Sequence, residues 1–366
     1  VNTEALPEPA ELVRLVRQWG AELGFQQVGI AGIDLAVAEA RLAAWLAAGY
    51  HGEMRWLADH GHKRSRPAEL LPGTLRVICA RFDYWPGDAA PAAALLDAPD
   101  RAYIARYTLG RDYHRVLRGR LKTLAGRLAG IAGPAGYRVF VDSAPVMEKP
   151  LAQAAGLGWI GKHTNLINAA AGSWFLLGEI FTTLPLPVDE PATDHCGSCT
   201  RCIEVCPTRA IIAPYVLDAR RCVSYLTIEL KGAIPEELRP LMGNRVFGCD
   251  DCQLFCPWNK FADPTGCGDF SPRHGLDAAG LAELFAWDEA EWNTRTEGSA
   301  IRRAGYIGFL RNLAVALGNA PAGNAAAVAA LASRAGHPSA LVREHVAWAL
   351  ARHAAGPAGR LLPTAP

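Results

Sequence analysis

Eight cysteines between positions 196 and 256 constrain this chain more than any other feature. They run Cys196-x2-Cys199-x2-Cys202-x3-Cys206-Pro207, then Cys222, then Cys249-x2-Cys252-x3-Cys256-Pro257. A cubane iron–sulfur cluster takes four thiolates, and in two-cluster ferredoxins the last cysteine of each run crosses to the other cluster. The count closes on that rule. Cys196, Cys199, Cys202 and Cys256 are expected to hold one [4Fe–4S] cluster, and Cys206, Cys222, Cys249 and Cys252 the second. Pro207 and Pro257, with fixed φ and no N–H, end each ligand loop. A zinc ribbon built from paired C-x2-C units leaves the third close cysteine and the prolyl-capped fourth unexplained. Disulfides fit less well still, because the cysteines are bunched and no secretory signal is recognised. Cys79, in the apolar run 75–80, is expected to be a core thiol; Cys267 receives no assignment.

With 366 residues, half of them hydrophobic, the chain can bury a large core spread over two or three domains. A net charge of +1 excludes a general polycationic coat for nucleic acid. No uncharged apolar run reaches the roughly 18 residues of a membrane span. The acids Glu4, Glu8 and Glu11 at the start of the sequence resemble neither a secretory nor a twin-arginine leader, so a cytoplasmic location is expected. Charge is nonetheless uneven. Between Arg101 and Arg127 stand eight Lys or Arg against one acid, Asp112, and Arg295, Arg302, Arg303 and Arg311 form a second group. Either could track phosphates, or be a solvated helix face.

Periodicity predicts an α+β first segment: a helix over 8–22, a strand at 28–33, a helix around 41–48, a strand at 76–84, a basic helix over 112–131, a strand at 137–142, a helix near 148–155 and a strand at 173–183. The prolines of Leu184-Pro-Leu-Pro187 mark a boundary. Residues 1–185, 186–265 and 266–366 are therefore read as three domains. Glu229–Leu241, in the long insertion between Cys222 and Cys249, has helical spacing with acids placed early. In the alanine-rich tail, Leu310, Leu313, Ala314 and Leu317, then Val342, Val346, Ala349 and Leu350, form two stripes. These suit either stacked HEAT-like helix pairs or an ordinary helical cap.

Gly156-Leu-Gly158-Trp-Ile-Gly161 matches the dinucleotide fingerprint and has Glu179 about twenty residues on, but that fingerprint needs a strand before it and a helix after it. Here the order is reversed. The segment is read instead as a glycine loop that lets backbone approach a ligand. Asp142 stands at a strand end, as a catalytic group or as the cap of the following turn. Asp112 is placed to cap the basic helix, and His114 beside it reads as structural.

Motifs along nearly the whole chain resemble the epoxyqueuosine reductase family, which acts on tRNA: His51-Gly-Glu-Met54, Arg66-Pro67, Leu71-Pro-Gly73, Gly110-Arg-Asp-Tyr-His114, Val141-Asp-Ser143 with Pro145, Gly156-Leu-Gly-Trp-Ile-Gly-Lys162, both cysteine runs, Cys222-Val-Ser-Tyr-Leu-Thr227, Gly308-Phe-Leu-Arg-Asn312 and Leu317-Gly-Asn319. The resemblance implies an oxidoreductase that reduces the epoxide of epoxyqueuosine in the anticodon to the alkene of queuosine. It implies base-off cobalamin, with cob(I)alamin as nucleophile, in a 1–185 catalytic domain like that of reductive dehalogenases, and electrons delivered through the two clusters. Asp142 would be the acid, with burial raising its pKa. Arg64, Gly158, Lys162, Asn165, Ser224, Asp250 and Asp251 are candidates for the corrin pocket. Arg111, Arg115, Arg118, Lys122, Arg295, Arg302 and Arg303 are candidates for tRNA phosphates. A low-potential external electron donor and a monomer are expected. The rival readings are a corrinoid dehalogenase-like enzyme, disfavoured by the missing twin-arginine leader, and a non-catalytic iron–sulfur electron carrier.

Overall fold

The computed structural model describes residues 7–133 and 136–355; Glu4 and the two outer domain limits lie outside them. A four-stranded antiparallel sheet organises the first half. Its strands are β1 (Gln27–Ala31), β2 (Arg76–Asp83), β3 (Tyr137–Phe140) and β4 (Phe175–Thr182), in the order β1-β2-β4-β3. The two inner strands are buried over most of their length because both faces are covered. Helices α1 (Pro9–Glu22) and α2 (Tyr113–Ala132) bury Val16, Leu117, Leu121 and Leu128 against Ile78, Ala80 and Ile180. On the opposite face α3 (Glu148–Ala154) packs Leu151 and Ala152 against Val77, Cys79, Phe140 and Phe181. Cys79 is a core thiol, as expected, with no exposure.

Asp112 does cap α2: its Oδ1 accepts the His114 N–H at 3.0 Å. The apolar side of α2 docks on the sheet, and Arg111, Arg115, Arg118 and Lys122, spaced along one stripe, stay exposed.

Two expectations fail locally. Glu229–Leu241 is not a helix. The helix α4 (Val223–Ile228) stops before it, and only a 3-10 turn at Arg239–Met242 follows. Gly232 and Pro235 break the pattern, and Arg239 Nε reaches back to the Ile234 carbonyl at 2.8 Å. Arg311, grouped with the surface cations, is 1% exposed. It lies in α5 (Gly305–Asn319), where Nη1 donates to the Leu230 and Gly232 carbonyls at 2.7 Å and Nη2 to Leu226 at 2.6 Å. Asn312 beside it donates to the Thr227 and Val246 carbonyls at 2.8 and 2.9 Å. These carbonyls are left open by the irregular insertion, and a buried acceptor without a donor costs about 1–3 kcal/mol; the motif therefore pins the helical tail to the cysteine module. The remaining tail helices, Ala325–Ser333 and Ala340–Ala354, pack behind α5.

Candidate active site

A cavity of about 300 Å3 opens where the sheet domain meets the cysteine module. Tyr84, Tyr107, Tyr113, Phe175 and Leu177 give it apolar and aromatic walls, while Asn165, Ser173, Ser224 and Gln253 add amides and hydroxyls. Asp142 and Glu148 stand in one wall and Cys249 and Asp250 in another. One space thus joins the expected acid to an expected cluster ligand.

Asp142 follows β3 in a left-handed backbone, φ 47°, a conformation that costs a non-glycine residue roughly 1 kcal/mol and that Asp tolerates better than most. Three groups hold it there. The Tyr113 hydroxyl donates to Oδ2 in a short hydrogen bond, His114 Nε2 lies 3.3 Å from the same oxygen, and the Asp142 N–H donates to Glu148 Oε1 at 2.5 Å. The side chain keeps 55% of its surface open, all of it consistent with its place in the cavity wall, while protein atoms crowd the rest.

The electrostatics reverse one expectation. Burial does push the Asp142 carboxyl up, but the hydrogen bonds from His114 and Tyr113 and the charges of His114 and Lys149 together outweigh it and hold the carboxyl below its ordinary value. The proton rests on the imidazole instead. Burial disfavours the charged ring, yet Asp112 at 2.8 Å from Nδ1 and Asp142 on Nε2 carry its pKa up to about 9. His114 is therefore the centre of an Asp112–His114–Asp142 relay rather than a structural residue. Glu148 behaves oppositely: burial, then the charge of Asp142, raises it to about 7.

The electrostatic neighbours of the buried cysteines fall into two sets. Burial pushes the Cys202 thiol up to about 11, and its next influences are Cys256, Cys196 and Cys199. Around Cys252 burial again dominates, followed by Cys222 and Cys206, and Cys249 feels Cys222 and Cys252. Each quartet is electrostatically its own neighbourhood. Among the described residues no three His, Cys, Asp or Glu side chains close tightly enough on a single metal ion; thiolates around a cluster stand further apart, since irons and sulfides lie between them. Such buried thiols are ionised by the metal that binds them, and the residues present fit two clusters.

Of the corrin-pocket candidates, Asn165, Ser224, Asp250 and Asp142 line the cavity. Asp250, 2% exposed, accepts from the Tyr103 hydroxyl and the Arg106 N–H, both at 2.9 Å. Behind it the Arg106 guanidinium is buried with none of its three nitrogens paired to protein. The other candidates do different work. Lys162 Nζ donates to the carbonyls of Gly197 and Cys199 at 2.6 and 2.9 Å, bracing the first cysteine loop. Asp251 pairs with Arg245, Nε to Oδ2 at 2.7 Å, beside Cys249. Gly158 does permit a close approach, but to its own chain: a Cβ there would lie 2.2 Å from the Ile167 carbonyl. Arg64 is buried, stacks over Trp56 and donates to its carbonyl at 3.1 Å, just outside the cavity.

The two basic groups, far apart in sequence, converge because the Asp112 N–H donates to the Gly298 carbonyl at 2.7 Å. Arg111 pairs with Asp269, Arg295 with Glu291, and Arg302 binds the Asn293 side chain. Arg303 is held by Glu229 at 2.8 Å, and its pKa is raised by that bond first and then by the reach of Asp142 and Tyr113. It therefore stands near the cavity mouth.

Comparison with known proteins agrees with this geometry. Residues 64–143 match the family model described as "Epoxyqueuosine reductase QueG, DUF1730", and residues 195–259 match a "4Fe-4S double cluster binding domain". The epoxyqueuosine reductase of Pseudomonas aeruginosa is 63% identical over 349 residues, covering 95% of this chain and 96% of that protein. The chain belongs to the epoxyqueuosine reductase family. The Escherichia coli epoxyqueuosine reductase is 56% identical, covering 95% of this chain and 92% of its own length. A crystal structure of an epoxyqueuosine reductase with an epoxyqueuosine-modified tRNA-Tyr stem loop superposes with a TM-score of 0.86 at 29% identity, covering 94% of this chain and 91% of that one. The Bacillus subtilis epoxyqueuosine reductase, solved with its catalytic aspartate loop swung out of the active site, gives a TM-score of 0.86 at 28% identity with the same coverage.

Proposed function

We propose that this protein reduces the epoxide of epoxyqueuosine in the tRNA anticodon to the alkene of queuosine, using cobalamin and two [4Fe–4S] clusters. The single observation that carries the reading is that Asp142 and Cys249 face one cavity, so a proton source and an electron source meet at the same substrate. The flat aromatic and aliphatic walls suit the face of a corrin, and Asn165, Ser224 and Gln253 suit its fringe of amides. When bound, cobalamin supplies a reduced, nucleophilic metal centre. The chain's own residues do the rest. Tyr113 and Glu148 fix the Asp142 side chain and backbone; His114 stores a proton that passes through Asp142 Oδ2 to the epoxide oxygen; Cys206, Cys222, Cys249 and Cys252 would hold the cluster that supplies electrons at the cavity wall; and the aromatic walls exclude water.

Residues 1–185 are read as the catalytic domain, 186–265 as the cluster domain and 266–366 as a HEAT-like arm that contacts tRNA. Arg303, with Arg111, Arg115, Arg118, Lys122, Arg295 and Arg302, is assigned to the phosphates of the anticodon stem. The enzyme is taken to act as a cytoplasmic monomer fed by a low-potential donor; no helix among the described residues is long and apolar enough to cross a membrane.

The test is anaerobic incubation of the reconstituted protein with epoxyqueuosine-bearing tRNA and a low-potential reductant, with and without cobalamin, followed by mass spectrometry of the nucleosides. Loss of one oxygen only with cobalamin is expected. No conversion with iron and cobalt both bound would point to a different substrate, and no cobalt binding to an electron carrier.

A further inference from the structure

Reducing an epoxide to an alkene breaks both C–O bonds, forms one C=C bond, and releases the oxygen as water. It consumes two electrons, from the external donor through the clusters, and two protons. The Asp112–His114–Asp142 relay accounts for one proton. The structure offers a place for the other.

Glu179 lies in the middle of β4, opposite Cys79 on one side and Phe140 on the other. It is 0% exposed, and neither carboxyl oxygen finds a hydrogen-bond donor among the described side chains. It faces the same side of the sheet as Phe181 and Cys79, toward the start of α3, where its neighbour is the carboxyl of Glu148, close enough for a shared hydrogen bond. Those two observations agree only if one of the carboxyls carries a proton, because two carboxylates have no donor between them. Two negative charges so close in the core are also excluded on energetic grounds: one buried unpaired carboxylate already costs several kcal/mol, and like charges in contact drive one of a pair to stay protonated.

The charged and titratable groups that face the pair do not undo this. Cys79 is buried, and burial pushes its thiol up, so it is neutral. Arg64 feels Glu148 but forms no ion pair with it, donating instead to the Trp56 carbonyl. Lys149 Nζ donates to the Thr164 carbonyl at 2.8 Å. Asp142 adds negative charge, which strengthens the retention of the proton. Glu148 itself opens onto the cavity and touches the Asp142 backbone, whereas Glu179 is sealed.

We infer that Glu148 and Glu179 form a proton-holding pair that supplies the second proton of the reduction, with Glu148 as the group that releases it into the cavity and Glu179 as the positioning residue that keeps it there. This rests on the reduction proposed above for its stoichiometry, but the pair can be tested without substrate. The Glu148 value of about 7 places the loss of its own proton in the neutral range, while Glu179, held well above its ordinary value by burial and by the neighbouring Glu148, stays neutral: Glu148 is loaded below about 7 and ionised above it, so turnover falls on the alkaline side while His114, near 9, is still charged.

The experiment is pH-difference infrared spectroscopy of the reconstituted full chain, alongside single-turnover kinetics, for the wild type, Glu179→Gln and Glu148→Gln. The wild type is expected to show neutral carboxylic-acid carbonyl absorption that weakens as pH rises through about 7, when Glu148 ionises and Glu179 remains neutral. Glu179→Gln, whose amide can donate to Glu148 and hold it ionised, is expected to lose that band. It should also slow the chemical step about tenfold or more, leave KM for tRNA unchanged, and abolish the alkaline limb near 7. Absence of the band in the wild type overturns the inference whatever the variants do, and so does a Glu179→Gln enzyme with the wild-type pH profile. A wild type that shows the band yet converts no epoxyqueuosine leaves the pair standing and defeats the functional reading instead.

Discussion

Cys199 leaves the outer quartet exposed at the protein surface, whereas Cys249 brings the inner quartet to the wall of the active-site cavity. Cys249 and Cys252 keep some accessible area, but the atoms packed around them enclose it, and burial drives both thiols well above their ordinary value. The outer loop is held by Lys162 through two carbonyls and is flanked by Trp159 and Trp258. The inner one is held by a scaffold that reaches across the chain, from Tyr103 through Asp250 to Arg311 and Asn312. Under the reduction proposed above, the difference gives electron flow a direction, with the outer quartet assigned to receive electrons from a donor and the inner quartet to deliver them beside Asp142.

The sharpest way to break this comparison is to remove one ligand from each side. Cys249→Ser is expected to abolish turnover whatever reductant is used, and Cys199→Ser to slow turnover with a protein donor while leaving much of it when a small chemical reductant can reach the inner quartet. Equal loss from both variants, measured by single turnover with each reductant, would erase the distinction. Asp142→Asn tests the receiving end: it should keep both clusters and the cavity, read by electron paramagnetic resonance and cobalt content, yet lose roughly 10²–10⁴-fold in rate. An active Asn variant would transfer the acid role elsewhere.

Smaller effects sharpen the picture. Arg311→Leu strips donors from the carbonyls of Leu226, Leu230 and Gly232 and should destabilise the fold by about 1–3 kcal/mol for each buried acceptor left open, with chemical denaturation showing the inner cluster lost before the outer. Simultaneous loss of both would mean that the scaffold is not specific to the inner site. Arg303→Ala acts only at the cavity mouth. It should weaken tRNA binding and lower the slope of log affinity against log salt by about one, with both clusters unchanged; an unaltered salt slope would remove Arg303 from the phosphate contacts.

Much of this was legible in the residues, and the reasons are physical. Thiolate clusters fix the spacing of their ligands, so the double-cluster module could be read from the cysteine spacing and the crossing rule of two-cluster ferredoxins. The sheet strands and flanking helices followed from apolar period and from the Asp112 cap. What escaped needed the third dimension. His114 looked structural because Asp112, its neighbour in sequence, reads as a helix cap, and the second carboxylate that charges it, Asp142, lies 28 positions away in sequence but 3.3 Å away in space. Glu179 was weighed only as part of a rejected dinucleotide fingerprint, although an acid inside the largely apolar strand Phe175–Thr182 is itself a signal that burial has a purpose. Lys162 and Gly158 lie in a motif that suggested a ligand, yet both serve the protein's own loops. Arg311 counted as surface charge because composition cannot tell a cation that meets phosphate from one that caps carbonyls.

The reach of Arg311 and Asn312 also bears on how the protein is made. The carbonyls they cap flank Cys222 and Cys249, so the inner site cannot close until the chain has been synthesised to Arg311 and Asn312, 59 and 60 residues past Cys252. At about 5–20 residues per second, a nascent chain presents complete but unclosed ligand sets for several seconds. That interval is a window in which assembly machinery can load iron and sulfide before α5 docks and seals the site.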